Sequence, residues 1–526
     1  MKTDLERLIL SGSSTRREFL AHSAKLTAAI SLGGLPGMRG DRGYRMASYP
    51  FTLGIASGDP LPDGFVLWTR LAPEPLEGGG MPPERVAVQW EVARDENFRV
   101  IVRNGSTVAT PELAHAVHVD VRGLEPGRPY WYRFMAGNEV SPVGRVFTAP
   151  PANSSLQQLR FAYASCQNYQ NGFYTAWAHL ADEDIQLVLH LGDYIYESGI
   201  AENAVRPHNS PAVETLEAYR NRYALYKTDP NLQRAHTLFP FVVTWDDHEV
   251  MNNYAGDYAR GWAIGALLAR RAAAYQAYYE HMPLREPALP HGADLQLYRR
   301  IRYGDLITFN VLDTRQYRSP QPCNDGWRSD AACPQAHDPS QTMLGPEQWQ
   351  WLEDGLTSSR TRWNVLAHGV PIAPTGRPGD DGLEQSMDKW AGYAAERDRL
   401  LRLLHDAPVR NAISIVGDVH QNWLSEMRTQ FYTDDAPIVG VEFVGTSITS
   451  GGDGVDRRPE TSEPWIAANP HVLFNNSQRG YVRCTVTPER WVTDYRVVEY
   501  VSRPGAPIKT RASFAVQDGV PGVTPV

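Results

Sequence analysis

Cysteine is scarce in this chain of 526 residues, which holds four, at positions 166, 323, 333 and 484. A chain of this length buries a substantial core without covalent staples. Long apolar runs are missing too. Beyond the N-terminal region no stretch approaches the roughly 18 uninterrupted apolar residues that a helical membrane span needs, so none is expected in the mature protein. Positive charge is in short supply: 51 Lys and Arg stand against 60 Asp and Glu, giving a net charge of -9 and a pI near 5.9. No long basic run breaks that balance, which argues against a nucleic-acid scaffold. A small phosphate ester stays open as a ligand, because local metals and arginines can reverse the field of an acidic protein.

What is present is ordinary globular usage, 42% hydrophobic and 21% charged, over a length that suggests two to four domains. Near the N-terminus, Ser14-Thr15-Arg16-Arg17-Glu18-Phe19-Leu20 precedes a weakly apolar stretch from Ala21 to Leu35. Paired arginines ahead of such a stretch resemble a twin-arginine export signal. Residues 1–45 are therefore expected to be leader and linker, the Tat translocon a partner during export, and the mature protein periplasmic or secreted. Cys323 and Cys333 bracket a short polar loop and are expected to pair in that oxidising setting, whereas Cys484 reads as a buried thiol on a strand.

Residues 50–150 carry short alternating runs divided by turns: Gly64 to Arg70, Val86 to Val92, Ala116 to Val121, Tyr130 to Phe134 and Gly144 to Thr148. That spacing predicts a β-sandwich. The run Gly123-Leu-Glu-Pro-Gly-Arg-Pro-Tyr-Trp-Tyr-Arg resembles the tyrosine-corner segment of fibronectin-type-III-like domains. Residues 149–155 read as a linker. From residue 156 to 504, apolar strands alternate with polar or helical stretches, the pattern of a layered α/β domain. Helices are expected over Gly261 to His281 and Met387 to Leu404. The tail, 505–526, is rich in Gly, Pro and Val and reads as irregular.

Six of the strands end in polar residues: Arg160 to Cys166, Ile185 to Asp193, Phe241 to Asp247, Leu306 to Asp313, Trp363 to His368 and Ala412 to Asp418. Sites in open α/β sheets form outside strand ends, so side-by-side packing brings these tips to one edge. In Gly-Asp-Tyr-Ile-Tyr, a carboxylate (Asp193) and a phenol (Tyr196) can face one pocket, and phenolate favours a strong Lewis acid such as ferric iron. Trp245-Asp-Asp-His-Glu249 places three acids about one histidine, followed by Asn252 and Asn253, neutral oxygen donors that hard cations accept. Asp418 and His420 in Gly-Asp-Val-His make a third acid-plus-imidazole tip.

In order, these motifs resemble those of calcineurin-like metallophosphoesterases, relatives of the purple acid phosphatases. The departures are Asp247 for the usual Asn, Asp418 for the usual first His, and Ala-Ser-Cys166 as the opening motif. Together with the export signal and the N-terminal β-domain they are similar to the alkaline phosphatase D (PhoD) family. The resemblance implies a β-sandwich followed by a layered αββα domain. It implies Fe³⁺ held by Cys166, Asp193, Tyr196 and His420, and Ca²⁺ held by Asp247, Asn253 (or Asn252) and Asp418, with Asp193 shared. It further implies hydrolysis of phosphate mono- and diesters by a metal-activated hydroxide, in the service of phosphate scavenging.

Three further residues are assigned to catalysis. His248 could steady the phosphate or protonate the leaving group. Arg315, after another strand tip, could grip phosphate with its fork. His368 lies where purple acid phosphatases place a metal-binding histidine. The family's C-terminal helical lid is not expected, since the tail does not read as a helix. A phospholipase D acting on lipid headgroups is the alternative within the same chemistry. From another class comes a non-catalytic extracellular binding protein, disfavoured because every motif is intact. A nuclease acting on long polymers lacks its basic groove.

Overall fold

A strand that is apolar at nearly every position has to be covered on both faces. The strands Leu187–Leu191, Pro240–Thr244, Ile307–Val311, Trp363–His368 and Ala412–Val416 are buried throughout, and the architecture shows why. The structure, a computed structural model, describes residues 45–433, 435–457 and 459–526; the leader read at residues 14–35 lies outside them. A ten-stranded sheet and a seven-stranded sheet pack face to face. Phe161, Leu189 and Val242 of the first meet Phe309, Val365 and Ile413 of the second, with Phe161 and Phe309 edge to face at 5.1 Å between centroids.

Helices cover the outer faces. Leu216–Lys227 and Ile264–His281 supply Tyr223, Leu267 and Tyr275 to one outer layer. Gly345–Thr357 and Ala394–Asp406 supply Trp349, Leu352, Leu400 and Leu401 to the other. The fold is thus a four-layered αββα arrangement preceded by a β-sandwich. Within each sheet the central strands run parallel: Leu187–Leu191 between Leu159–Ala164 and Pro240–Thr244, and Trp363–His368 between Ile307–Val311 and Ala412–Val416. Their C-terminal ends share one edge, where a parallel bridge from Ser165 to Ser447 ties the two sheets together.

In the sandwich, burial alternates residue by residue along Pro129–Ala136, as expected of a strand with one face to the core. Phe65, Leu67 and Val119 pack against Val88, Tyr132 and Phe134. The tyrosine corner is formed by Tyr130, whose hydroxyl accepts from the Glu125 N–H at 2.9 Å and donates to the Glu125 carbonyl at 3.2 Å. One sheet of this sandwich is continuous with the ten-stranded sheet: Ile55–Leu61 pairs in parallel with Pro240–Thr244, Ser57 opposite Pro240 and Gly58 opposite Phe241.

Two expectations need correction. The tail is not irregular: Ile508–Gln517 pairs antiparallel with Arg490–Val498, and Thr524–Pro525 pairs with it in turn. Ala512, Phe514 and Val516 alternate toward the core, an apolar set of period two that the flanking Gly and Pro obscured. The helix read from Met387 begins only at Ala394, after a 3₁₀ turn over Trp390–Tyr393, because Asp388 and Lys389 are drawn into the site. Cys323 and Cys333 form a disulfide. Among the described residues no helix is long and apolar enough to cross a membrane.

Candidate metal centre

The strand tips converge as short loops with uncommon backbone. Cys166, Asp193, Asn253, Asp418 and His420 all adopt positive φ, between 53° and 66°. Side chains other than Gly rarely take that region, and such residues cluster where function requires it. The tips also approach closely. A Cβ on Gly192, at φ 103°, would stand 2.5 Å from the Asp246 Cβ, and one on Gly417 would stand 2.3 Å from the Ser165 hydroxyl. The glycine before each aspartate therefore lets two tips touch.

Three groups of ligand atoms result, each with members within 4.8 Å of one another: Cys166, Asp193 and His420; Asp193, Asp247 and His248; Asp246, Asp247 and Asp418. Asp193 is common to the first two and Asp247 to the last two. Tyr196 joins the first, its hydroxyl donating to Asp193 Oδ2 at 2.8 Å and lying 3.1 Å from His420 Nε2. Ser450 donates to that hydroxyl at 2.7 Å. Asn253 sits beside the last group, its N–H donating to Asp247 Oδ2 at 2.7 Å and its amide Nδ2 to Asp325 Oδ2 at 2.7 Å. Asn252 instead donates its N–H to Glu197 at 2.9 Å.

The electrostatics show a deficit of positive charge. Burial pushes Asp246 and Glu249 up to about 8. Burial, reinforced by Asp247 and Asp246, raises Asp193 well above the usual carboxylate range. Burial and the Asp193 charge likewise raise the Cys166 thiol and the Tyr196 phenol. Asp246 Oδ2 is buried with no hydrogen-bond partner among the described residues. Packing carboxylates this closely is a cost that cations relieve. Burial alone would lower the His248 pKa, but Asp247, Asp193 and Glu197 raise it well above its ordinary value. Its Nδ1 lies 2.7 Å from Glu197 Oε2, and its ring stacks on Tyr196 at 4.2 Å.

Two expected catalytic residues are placed differently. Arg315 is fully buried, and its fork is taken: Nη1 and Nη2 donate to Asp388 at 2.8 and 3.0 Å, and Nε to Asp246 at 2.5 Å. A guanidinium that already spans two carboxylates offers no edge to a phosphate; Arg315 is an internal counter-ion. His368 is fully buried and belongs to none of the ligand groups. Its Nε2 lies 3.1 Å from the Ser414 hydroxyl, which donates to Glu442 at 3.0 Å, and burial pushes its pKa down to about 3. The tip it heads contributes through backbone, Gly417 donating to the Gly369 carbonyl at 3.2 Å.

Several site residues carried no role in the sequence. Glu249 accepts the N–H groups of Asp193 at 3.1 Å, Tyr194 at 2.5 Å and Asp246 at 2.8 Å, clamping two tips together. Its place as the third acid of Trp-Asp-Asp-His-Glu was the available signal. Lys389 pairs with Asp418 and, at 3.4 Å, with Asp388; nothing nearby in the sequence marks either residue. The centre opens on a cleft of about 660 Å³ lined by Lys389, Asp418, Arg479, Trp327, Trp423 and Trp465.

Comparison with known proteins identifies the family. The family model for PhoD-like phosphatase matches residues 161–495, and that for its N-terminal domain matches residues 38–150. Alkaline phosphatase D of Bacillus subtilis (strain 168) is 50% identical over 522 residues, covering 97% of this chain and 89% of that protein. The solved structure of PhoD superposes with a TM-score of 0.89 at 52% identity, over 92% of this chain and 93% of that one. The chain belongs to the PhoD-like phosphatase family, and is a phosphoric ester hydrolase.

Proposed function

We propose that this chain is an exported alkaline phosphatase and phosphodiesterase that hydrolyses mono- and diesters at a centre of two unlike metals. The observation that carries the reading is the set of ligand groups sharing Asp193 and Asp247 beside an open cleft. The donors fit the metals by type. Thiolate, phenolate, imidazole and carboxylate at Cys166, Tyr196, His420 and Asp193 suit Fe³⁺. Asp193, Asp247, Asp418 and the Asn253 amide suit Ca²⁺. When bound, these cations supply Lewis acidity toward phosphate oxygens and water.

The chain's own residues do the rest. Glu197 holds His248 by Nδ1, leaving Nε2 as the atom that passes a proton to the departing ester oxygen. Ser450 fixes the Tyr196 hydroxyl, and Glu249 fixes the backbone of Asp193 and Asp246. Arg315 and Lys389 keep the crowded carboxylates in place.

The same reading assigns residues 1–45 to a leader that engages the Tat translocon, 50–150 to the N-terminal module and 156–504 to catalysis, outside the cytoplasm, in phosphate scavenging. The Cys323–Cys333 disulfide supports an oxidising destination. Elemental analysis of the purified protein, with assays on one monoester and one diester, tests the proposal. Iron and calcium with activity on both, diester preferred, is the expected result; zinc in place of iron would sink the ferric assignment.

A further inference from the structure

Arg315 and Arg479 are both buried beside the centre, and they differ in what neutralises them. Arg315 is held by Asp246 and Asp388. Arg479, 7% exposed, has no carboxylate within ion-pair distance among the described residues. Its Nε donates to the Gly452 carbonyl at 2.7 Å and its Nη1 to the His420 carbonyl. Nη2 donates to nothing among the described residues. It lies against Gly451, where a Cβ would stand 2.8 Å away, and both residues line the cleft. A largely buried guanidinium whose one open edge faces a cleft is a ready donor to an anion bound there.

The other cations of the cleft are committed, Lys389 to Asp418 and Asp388, and Arg377 to Glu384 at 3.0 Å. Burial pushes the Arg479 pKa down to about 10, and Cys166, Tyr196 and, beyond ion-pair distance, Asp453 act against that shift. It therefore presents the two N–H groups of Nη2, and a charge that only Asp453 offsets from beyond ion-pair distance, to the space beside the His420 side of the centre.

We propose that Arg479 is a catalytic residue that binds a phosphoryl oxygen of the substrate through Nη2, the role that the sequence suggested for Arg315. This rests on the phosphoesterase reading above. No bond is made or broken by Arg479; it donates one charge-assisted hydrogen bond to the phosphoryl group as negative charge moves through it.

The test is Arg479→Gln in the metal-loaded enzyme, with inorganic phosphate as a competitive inhibitor. The expected result is a fall in kcat/KM of about 100- to 1,000-fold and a weakening of phosphate inhibition of about 10- to 100-fold. Iron and calcium content and the thermal midpoint should stay as in the parent, and Arg479→Lys should restore part of the loss. Phosphate inhibition and kcat/KM both left near parental values would overturn the proposal. Should the variant fail to fold or lose metal, crystals of the parent enzyme soaked in phosphate decide. An oxygen within hydrogen-bond distance of Nη2 supports the assignment, and a bound phosphate that leaves Nη2 untouched overturns it. An unaltered enzyme inactive on every phosphate ester would instead remove the hydrolase reading beneath it.

Discussion

Tyr196 is held from three sides: Ser450 donates to its hydroxyl, the hydroxyl donates to Asp193, and the His248 ring stacks on its own. A ferric ion bound there would draw charge from the phenolate and colour the protein. Tyr196→Phe should therefore abolish the visible absorption while leaving far-ultraviolet circular dichroism unchanged; a band that persists shows that Tyr196 is not a ligand. Arg315 invites a different experiment. Arg315→Gln leaves Asp246 and Asp247 without their guanidinium counter-ion, while Asp388 keeps Arg318 and Lys389, and removing one member of such a buried set costs about 3–5 kcal/mol. The expected readout is a lowered thermal midpoint in the metal-free protein, and an unchanged midpoint with a raised KM would return Arg315 to the substrate. Its misreading has a physical source. A sequence shows that an arginine follows a strand tip, but Asp388, the residue opposite, lies 73 positions away in a segment whose apolar spacing suggested only helix. Lys227 is the third case. Its ammonium is buried over the Trp68 ring at 4.2 Å, and burial pushes its pKa down to about 7. Unfolding returns it to the ordinary lysine range near 10.4, so the unfolded state binds the extra proton between those values and stability rises with pH across the window. Lys227→Met should raise the thermal midpoint at pH 7, with the gain shrinking toward pH 10. A gain independent of pH would show that Lys227 does not titrate in that window.

At the scale of elements, the loop closed by Cys323 and Cys333 is more than a surface excursion. Cys323, Asn324 and Asp325 all take positive φ, 55°, 60° and 65°, and this turn delivers Asp325 to the Asn253 amide at 2.7 Å. Gln321, just ahead of the bridge, donates to the Asn253 carbonyl at 2.8 Å and to Asp388 at 2.7 Å. The bridge thus holds the partners of an expected calcium ligand, and outer partners of this kind are worth about 10- to 100-fold in metal affinity. Asp325→Ala, or reduction of the bridge, should weaken calcium binding to the metal-stripped protein by about 10-fold in a titration; unchanged affinity in both would leave the loop with no hold on Asn253. Other elements differ in how far the sequence disclosed them. The central strands were legible because burial on both faces writes a continuous apolar run, and their tips were legible because polar residues end those runs abruptly. The Ile508–Gln517 strand was not, since its outward positions are Lys509, Arg511 and Ser513, and its inward set is interleaved with them. The pairing of Cys323 with Cys333 was legible as a bridge, but its reach to the centre was not, because Asn253 precedes it by 70 residues.

For the whole molecule, the shared sheet decides how its parts depend on one another. Ile55–Leu61 lies against Pro240–Thr244 as a parallel neighbour, and Pro240–Thr244 carries Asp246, Asp247 and His248 at its end. Removing residues 45–150 would leave that strand with an unpaired edge, which in an apolar strand promotes association with other chains. It would also strip packing from the helical layer. Trp68 covers Ala224 and donates from its indole to the Glu280 carbonyl at 3.0 Å, and His118 stacks on Tyr279 at 4.3 Å; the seven-stranded sheet would lose the pairing of Asp59 with Arg299 at 2.7 Å. Trp68 alone is fully buried, and losing an aromatic of this kind costs about 3–5 kcal/mol, a large part of the stability of an ordinary domain. The intact protein is therefore expected to unfold in a single cooperative calorimetric transition, and a fragment spanning residues 156–526 is expected to be aggregated or unable to retain metal. A monomeric fragment with native circular dichroism and full iron and calcium content would show instead that the αββα layers stand alone, and that the N-terminal sheet is an attachment rather than a support for the strand that presents Asp246, Asp247 and His248.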